Sequence, residues 1–136
     1  MTDIIHLIYL AGLCEKTQLE GREILADFDL AELASIYNGI GPDRFPDWMR
    51  ELVTEASSLF EPAALIHDVR YHIGGTIEDF TEANAEFRRN CNRLIAARFA
   101  WYDPRRYLWQ FRAWRYAGYC QEFGWKGYNK KAGTEQ

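Results

Sequence analysis

The sequence predicts an all-α fold, and three observations carry that expectation. Apolar residues recur at three- and four-residue spacing along most of the chain. No stretch alternates apolar and polar residues for long enough to make a strand, with a small hairpin in residues 14–30 left open as the one exception. Helix-start and helix-stop residues punctuate the chain at helix-length intervals. With 136 residues, of which 48% are hydrophobic and 15% aromatic, the chain suits a single domain that buries a core without covalent staples.

Taken in order, Thr2 and Asp3 can cap a first helix over about residues 4–15. After Gly21, the run Arg22 to Tyr37 places Ile24, Leu25, Phe28, Leu30, Leu33 and Ile36 at loose helical spacing. "YNGIGPD", residues 37–43, is a loop by composition. Pro46 then sits near the first turn of a short helix. Glu61-Pro62 begins another helix, reading "PAALIHDVRYHI", which Gly74-Gly75 stops. Thr76-Ile-Glu-Asp79 has the form of a capping box and opens a long helix to about Trp101. Asp103-Pro104 opens the last helix, which ends near Phe123 before Gly124. The polar tail is expected to fray. The domain reading is therefore a single helical domain over 1–126 and a flexible tail over 127–136.

Composition excludes several classes. Cys14, Cys91 and Cys120 are odd in number and scattered, with no Cys-x-x-Cys pair, which argues against a disulfide framework or a zinc site. They read as small hydrophobes in a reducing setting. The apolar run Ile4 to Leu13 is interrupted by His6, lacks a basic leader and is too short to span a bilayer. It reads as a core helix, with no signal peptide and no transmembrane segment. The expected location is cytoplasmic or phage-associated.

The net charge of −4 conceals an asymmetry: residues 1–61 carry 12 acidic and 4 basic side chains, and residues 98–131 carry 2 acidic and 8 basic. A basic, aromatic C-terminal third suits phosphates on lipid or nucleic acid, against the simpler reading that the two halves attract each other. Nucleic-acid binding through Arg98, Arg105, Arg106, Arg112 and Arg115 is disfavoured, because Tyr107, Phe111 and Trp114 are expected to bury a stripe beside them. Most of Trp101, Trp109, Trp114 and Trp125 are likewise expected in the core. The oligomeric state is not legible.

The residues that carry chemistry lie on the helix pair around Gly74-Gly75. Ala63, Ala64, Arg70 and Tyr71 share the face of His67. The next helix presents an apolar stripe of Phe80, Ala83, Phe87, Cys91, Leu94, Ile95 and Arg98, with Asn84 on it. A polar group on an inward face needs a partner, since leaving it unmade costs about 1–3 kcal/mol. The short turn makes the helices antiparallel, and at 1.5 Å per residue His67 and Asn84 lie at about equal heights. His6 and His72 read as surface or satisfied core histidines. Glu78, Asp79 and Glu82 favour the helix dipole and need no acid–base role.

His67-Asp68-x-x-Tyr71 resembles the His-Asp-x-x-Tyr helix of the phospholipase A2 superfamily, and Tyr37-x-Gly39-x-Gly41 resembles its calcium loop. Ala83-Asn84-Ala85-Glu86-Phe87 is similar to the family's Ala-Asp-x-x-Phe pattern on its second helix. The cysteine-poor form found in parvovirus coats is the nearer in style. The resemblance implies a phospholipase A2-like helix pair with additional packed helices, and calcium-dependent hydrolysis of glycerophospholipid esters. It implies catalytic roles for His67, Asn84 and Tyr71, calcium ligation by Asp68 and the carbonyls of Tyr37, Gly39 and Gly41, and a phospholipid or membrane surface as partner.

Three departures stand out: Asn84 in place of the family's aspartate, Pro42 in place of a loop glycine, and a spacing of 26 positions from Gly41 to His67. The first implies weakened or lost activity. A second resemblance, to a phage and prophage family of unknown function, rests on Leu33-Ala-Ser-Ile36, Ala63-Ala64, His67-Asp68, Tyr71, Asn84, Phe87 and Phe123-Gly124. It implies the alternative, a non-catalytic helical protein with a buried His–Asn pair.

Overall fold

A computed structural model describes residues 4–37 and 47–130, with side chains described for 4–37 and 58–130. The fold is all-α: α1 (Ile4–Lys16), a 3-10 helix (Arg22–Asp27), α2 (Leu30–Ile36), α3 (Asp47–Ile73), α4 (Ile77–Arg98), α5 (Arg105–Phe123) and a final 3-10 turn (Gly124–Gly127). Among the described residues there is no strand, and residues 14–30 form a turn and the 3-10 helix rather than a hairpin. Among the same residues a single β-type pairing joins Gly75 to Lys130.

Helices α3, α4 and α5 pack side by side, with α1 and α2 laid against α3. Phe60, Leu65, Ile66 and Val69 of α3 meet Phe87, Cys91 and Ile95 of α4 in the core, which Ala113, Ala117 and Cys120 of α5 close from the far side. Leu7, Leu10 and Cys14 of α1 complete it. No described helix is long and apolar enough to cross a membrane.

Two expected boundaries are corrected. The short helix at Pro46 and the helix expected from Glu61-Pro62 are one continuous element, α3, with Pro62 inside it. An interior proline costs about 3 kcal/mol through a lost hydrogen bond and a clash. Burying Phe60, Leu65, Ile66 and Val69 on either side returns about 1.5–3 kcal/mol each, so burial wins. The run 22–37 is broken in two: Phe28 is extended, and Asp29 caps α2 by accepting from the Glu32 N–H at 2.8 Å while Glu32 accepts from the Asp29 N–H at 3.1 Å.

The Thr76 capping box forms, with Thr76 and Asp79 accepting each other's backbone N–H. Asp103 accepts from the Arg105 N–H at 2.9 Å and opens α5. Arg98, expected on the buried stripe of α4, is exposed at its C-terminal end, where a cation suits the dipole.

The tail is corrected in its described part. Gly75 N–H donates to the Asn129 carbonyl at 3.0 Å, Asn129 N–H to the Tyr71 carbonyl at 3.1 Å, and the Asn129 amide to the His72 carbonyl at 2.8 Å. Tyr128 is buried against Tyr71 and Phe80. Residues 128–130 therefore clamp the α3–α4 turn. Gly74 has φ 73°, and a Cβ there would collide with the Asn129 carbonyl, so the turn needs glycine for space as well as for conformation.

The attraction between the acidic and basic halves takes a different form from the one expected. Glu20 is held by Arg89 and Arg93 of α4, and Arg70 pairs with Glu86, whereas Arg105 pairs with Asp103 beside it.

All three cysteines are buried free thiols, and burial pushes Cys14 up to about 12. The thiolate is the reactive form, so these thiols should resist an aromatic disulfide reagent in native buffer and react only on unfolding. Rapid native labelling of any one would contradict this packing.

Candidate functional site

The site is built where α3, α4 and α5 meet. The pairs His67–Asn84 and Tyr71–Phe80 mark α3 and α4 as antiparallel, and the levelling derived from helical rise holds. His67 is 7% exposed and Asn84 3% exposed, so each must be satisfied by the other and by near neighbours. His67 Nε2 lies 2.8 Å from Asn84 Oδ1, and the Tyr71 hydroxyl donates to the same oxygen at 2.8 Å. The Asn84 amide N–H donates to Gln121 Oε1 at 2.8 Å, and the Gln121 amide donates to Thr81 Oγ1 at 3.1 Å.

As the amides of Asn84 and Gln121 are oriented, Asn84 Oδ1 faces both His67 and Tyr71, and Gln121 Oε1 accepts from the Asn84 amide. The ring nitrogen facing an oxygen acceptor carries the proton. Neutral His67 is therefore protonated at Nε2 and keeps its lone pair at Nδ1. That tautomer suits a base. What the amide lacks is charge, since it cannot stabilise an imidazolium as a carboxylate does.

Aromatic rings hold the imidazole in place. Tyr71 lies 4.3 Å and Phe87 4.8 Å from it between ring centroids. Burial pushes the Tyr71 phenol well above its ordinary value of 10.0, so it stays a donor. Gly124 is a site residue in its own right. A Cβ there would strike the Tyr71 hydroxyl, so only glycine lets that hydroxyl reach Asn84.

Asp68, half-buried one position on, raises the pKa of both Tyr37 and Tyr71 through its charge. Its negative field is thus felt at both phenols. The Tyr37 hydroxyl donates to Glu61 Oε2 at 2.7 Å, the oxygen that also meets His6 Nε2 at 2.9 Å. Burial is the main cause of the raised Tyr37 pKa, with that hydrogen bond second. His6, read from sequence as a surface or satisfied core histidine, is thus partnered.

Of the calcium residues expected from sequence, Asp68 is felt by the Tyr37 phenol through its charge, and Gly39 and Gly41 lie outside the described residues, as does Pro42. Among the described residues no cluster of three or more His, Cys, Asp or Glu side chains fit to hold a metal is present.

A groove of about 530 Å³ opens between α4 and α5, lined by Thr81, Asn84, Arg88, Trp114 and Gln121 among others. It reaches the amide side of Asn84, not His67. Sequence reasoning missed Gln121, Thr81, Gly124 and Glu61. Gln121, Thr81 and Gly124 lie on other elements and Glu61, six residues before the histidine, falls off its face, so only tertiary packing brings them in.

No protein-family model, no curated protein and no solved structure matches the chain.

Two outcomes follow from this geometry. Tyr37 and Tyr71 have folded-state pKa values raised above the ordinary phenol value of 10.0, so their contribution to stability is complete below about pH 10 and is lost as pH rises beyond it. Tyr71→Phe should therefore flatten the loss of stability measured by urea unfolding above that pH; an unchanged slope would contradict the burial of the phenol. Asn84→Leu should cost about 2 kcal/mol or more, because it strands the Tyr71 hydroxyl and the His67 N–H at about 1–3 kcal/mol each, while the exposed Gln121 amide turns to water. Urea denaturation reads this directly.

Proposed function

We propose that the chain carries a phospholipase A2-like hydrolytic site of reduced activity, acting on glycerophospholipid esters with His67 as general base. The observation that supports it most is the shared hydrogen bond of His67 Nε2 and the Tyr71 hydroxyl to Asn84 Oδ1, both at 2.8 Å. It leaves Nδ1 as the basic atom and prevents the ring from turning. In the reaction Nδ1 takes a proton from water as the water oxygen attacks the ester carbonyl. The same proton passes to the departing alkoxide, giving a fatty acid and a lysophospholipid. Tyr71 and Gln121 act as positioning residues through Asn84.

In this reading calcium would be held by the Asp68 carboxylate and the expected carbonyls of Tyr37, Gly39 and Gly41, the two glycines lying outside the described residues. When bound, it supplies a Lewis acid for the ester oxygen.

The second reading, a non-catalytic phage or prophage protein, is favoured by one observation. Both polar atoms of the Asn84 side chain are partnered across three helices, as a structural lock requires.

Hydrolysis of a dispersed short-chain phosphatidylcholine under calcium titration separates the two. The parent should show weak, calcium-dependent release of fatty acid that His67→Ala abolishes and calcium chelation suppresses. Asn84→Asp should raise kcat by about 10²-fold or more, by giving the imidazolium a charged partner. No hydrolysis in the parent or in Asn84→Asp, with no calcium binding, would leave the structural reading.

A further inference from the structure

The last helix presents a face that the core does not use. Ala113, Tyr116, Ala117 and Cys120 of α5 are buried. At 100° per residue, Tyr107, Leu108, Phe111 and Trp114 stand on the opposite side, within an arc of about 120°. All four are exposed, Tyr107 by 72%, and Trp101 and Tyr102 in the preceding turn are exposed by 79% and 73%. This reverses the expectation that Tyr107, Phe111 and Trp114 bury a stripe and that most of the tryptophans sit in the core; Trp109 and Trp125 are half-buried. A contiguous apolar face of this kind is uncommon on a monomer and marks a contact surface.

Its charge identifies the partner's chemistry. Residues 98–119 hold five arginines against the single Asp103, in a chain whose net charge is −4. Arg105 lies over the Phe99 ring at 5.0 Å, Arg112 over Trp109 at 4.7 Å and Arg115 over Phe111 at 5.7 Å. Arg115 is thus held on the aromatic face itself, and Arg105 and Arg112 flank it.

We infer that this face of α5 is a docking surface for an anionic phospholipid bilayer, lying parallel to it with Trp101, Tyr107, Phe111 and Trp114 at the headgroup boundary and the arginines on phosphates. The acidic remainder of the chain is repelled by such a surface, so the bilayer is met by this face alone. A nucleic acid fits less well, because arginines already cover a face of the Trp109 and Phe111 rings on which bases would stack. A second copy docked face to face fits less well still, because it would bring two arginine-rich surfaces together. The inference shares its lipid chemistry with the proposed hydrolysis but rests on α5 alone.

The test uses His67→Ala protein with a calcium chelator, so that hydrolysis plays no part. It is mixed with vesicles of equal parts phosphatidylserine and phosphatidylcholine, and with vesicles of phosphatidylcholine alone. Sedimentation with the anionic vesicles, weakened by added salt and at least tenfold weaker on phosphatidylcholine, is expected. A blue shift of tryptophan fluorescence and protection from aqueous quencher should accompany it. Trp101→Ser/Phe111→Ser/Trp114→Ser, with helicity unchanged by circular dichroism, should reduce binding at least tenfold.

Absence of sedimentation with anionic vesicles would overturn the inference, as would equal binding by a folded triple variant. If that variant does not fold, unshifted and fully quenchable fluorescence in the vesicle-bound parent would overturn it instead. Tighter binding to duplex DNA than to the vesicles, or a dimer in sedimentation equilibrium that the triple variant loses, would reassign the face and overturn it too. Hydrolysis of the dispersed substrate is unaffected by any of these outcomes, so the two readings fail separately.

Discussion

One amide holds the centre of this molecule. Asn84 of α4 accepts from His67 and Tyr71 of α3 and donates to Gln121 of α5, so three helices meet on a side chain that is 3% exposed. His67 and Asn84 are shut off from water, and a buried polar atom left alone forfeits more than a paired one gains. The relative height of α3 and α4 is therefore fixed by chemistry as well as by apolar packing. The Gly74-Gly75 turn, clamped by residues 128–130, holds that height at one end. Gly124 supports it from the end of α5 by making room for the Tyr71 hydroxyl.

The same amide sets what the histidine can do. An oxygen acceptor orients the imidazole, selects its Nε2–H tautomer and leaves Nδ1 basic, which is the positional half of what an aspartate provides. The electrostatic half is missing, because a neutral side chain does not favour the imidazolium. Position and charge, which one carboxylate usually supplies together, are here separated, and the proposed low activity is the consequence.

How far this was legible in the sequence depends on the distance over which each signal acts. The His67–Asn84 pairing followed from a two-glycine turn and the rise of a helix, both local. The Thr76-x-x-Asp79 box was legible for the same reason; the Asp29-x-x-Glu32 box was hidden by the loose apolar spacing around it. Pro62 misled because a proline signal is local whereas the burial that overrides it comes from α1 and α4. Gln121, 37 residues from Asn84, and Gly124 belong to the site only through tertiary packing. The aromatic residues of α5 were misread because an aromatic side chain tells of affinity for apolar surroundings, not of which surroundings it has. Their helical spacing defined the face correctly, but whether it met the core or the outside was decided by Ala113, Ala117 and Cys120, small residues on the other side.

The central claim is that Asn84 presents its oxygen to His67 and so determines the protonated nitrogen. Long-range nitrogen–proton correlation of the imidazole by NMR, at a pH where the ring is neutral, measures this directly. The account predicts His67 in the Nε2–H form, with Nδ1 unprotonated and Nε2–H slow to exchange. A ring protonated at Nδ1, or one sampling both tautomers, would contradict it.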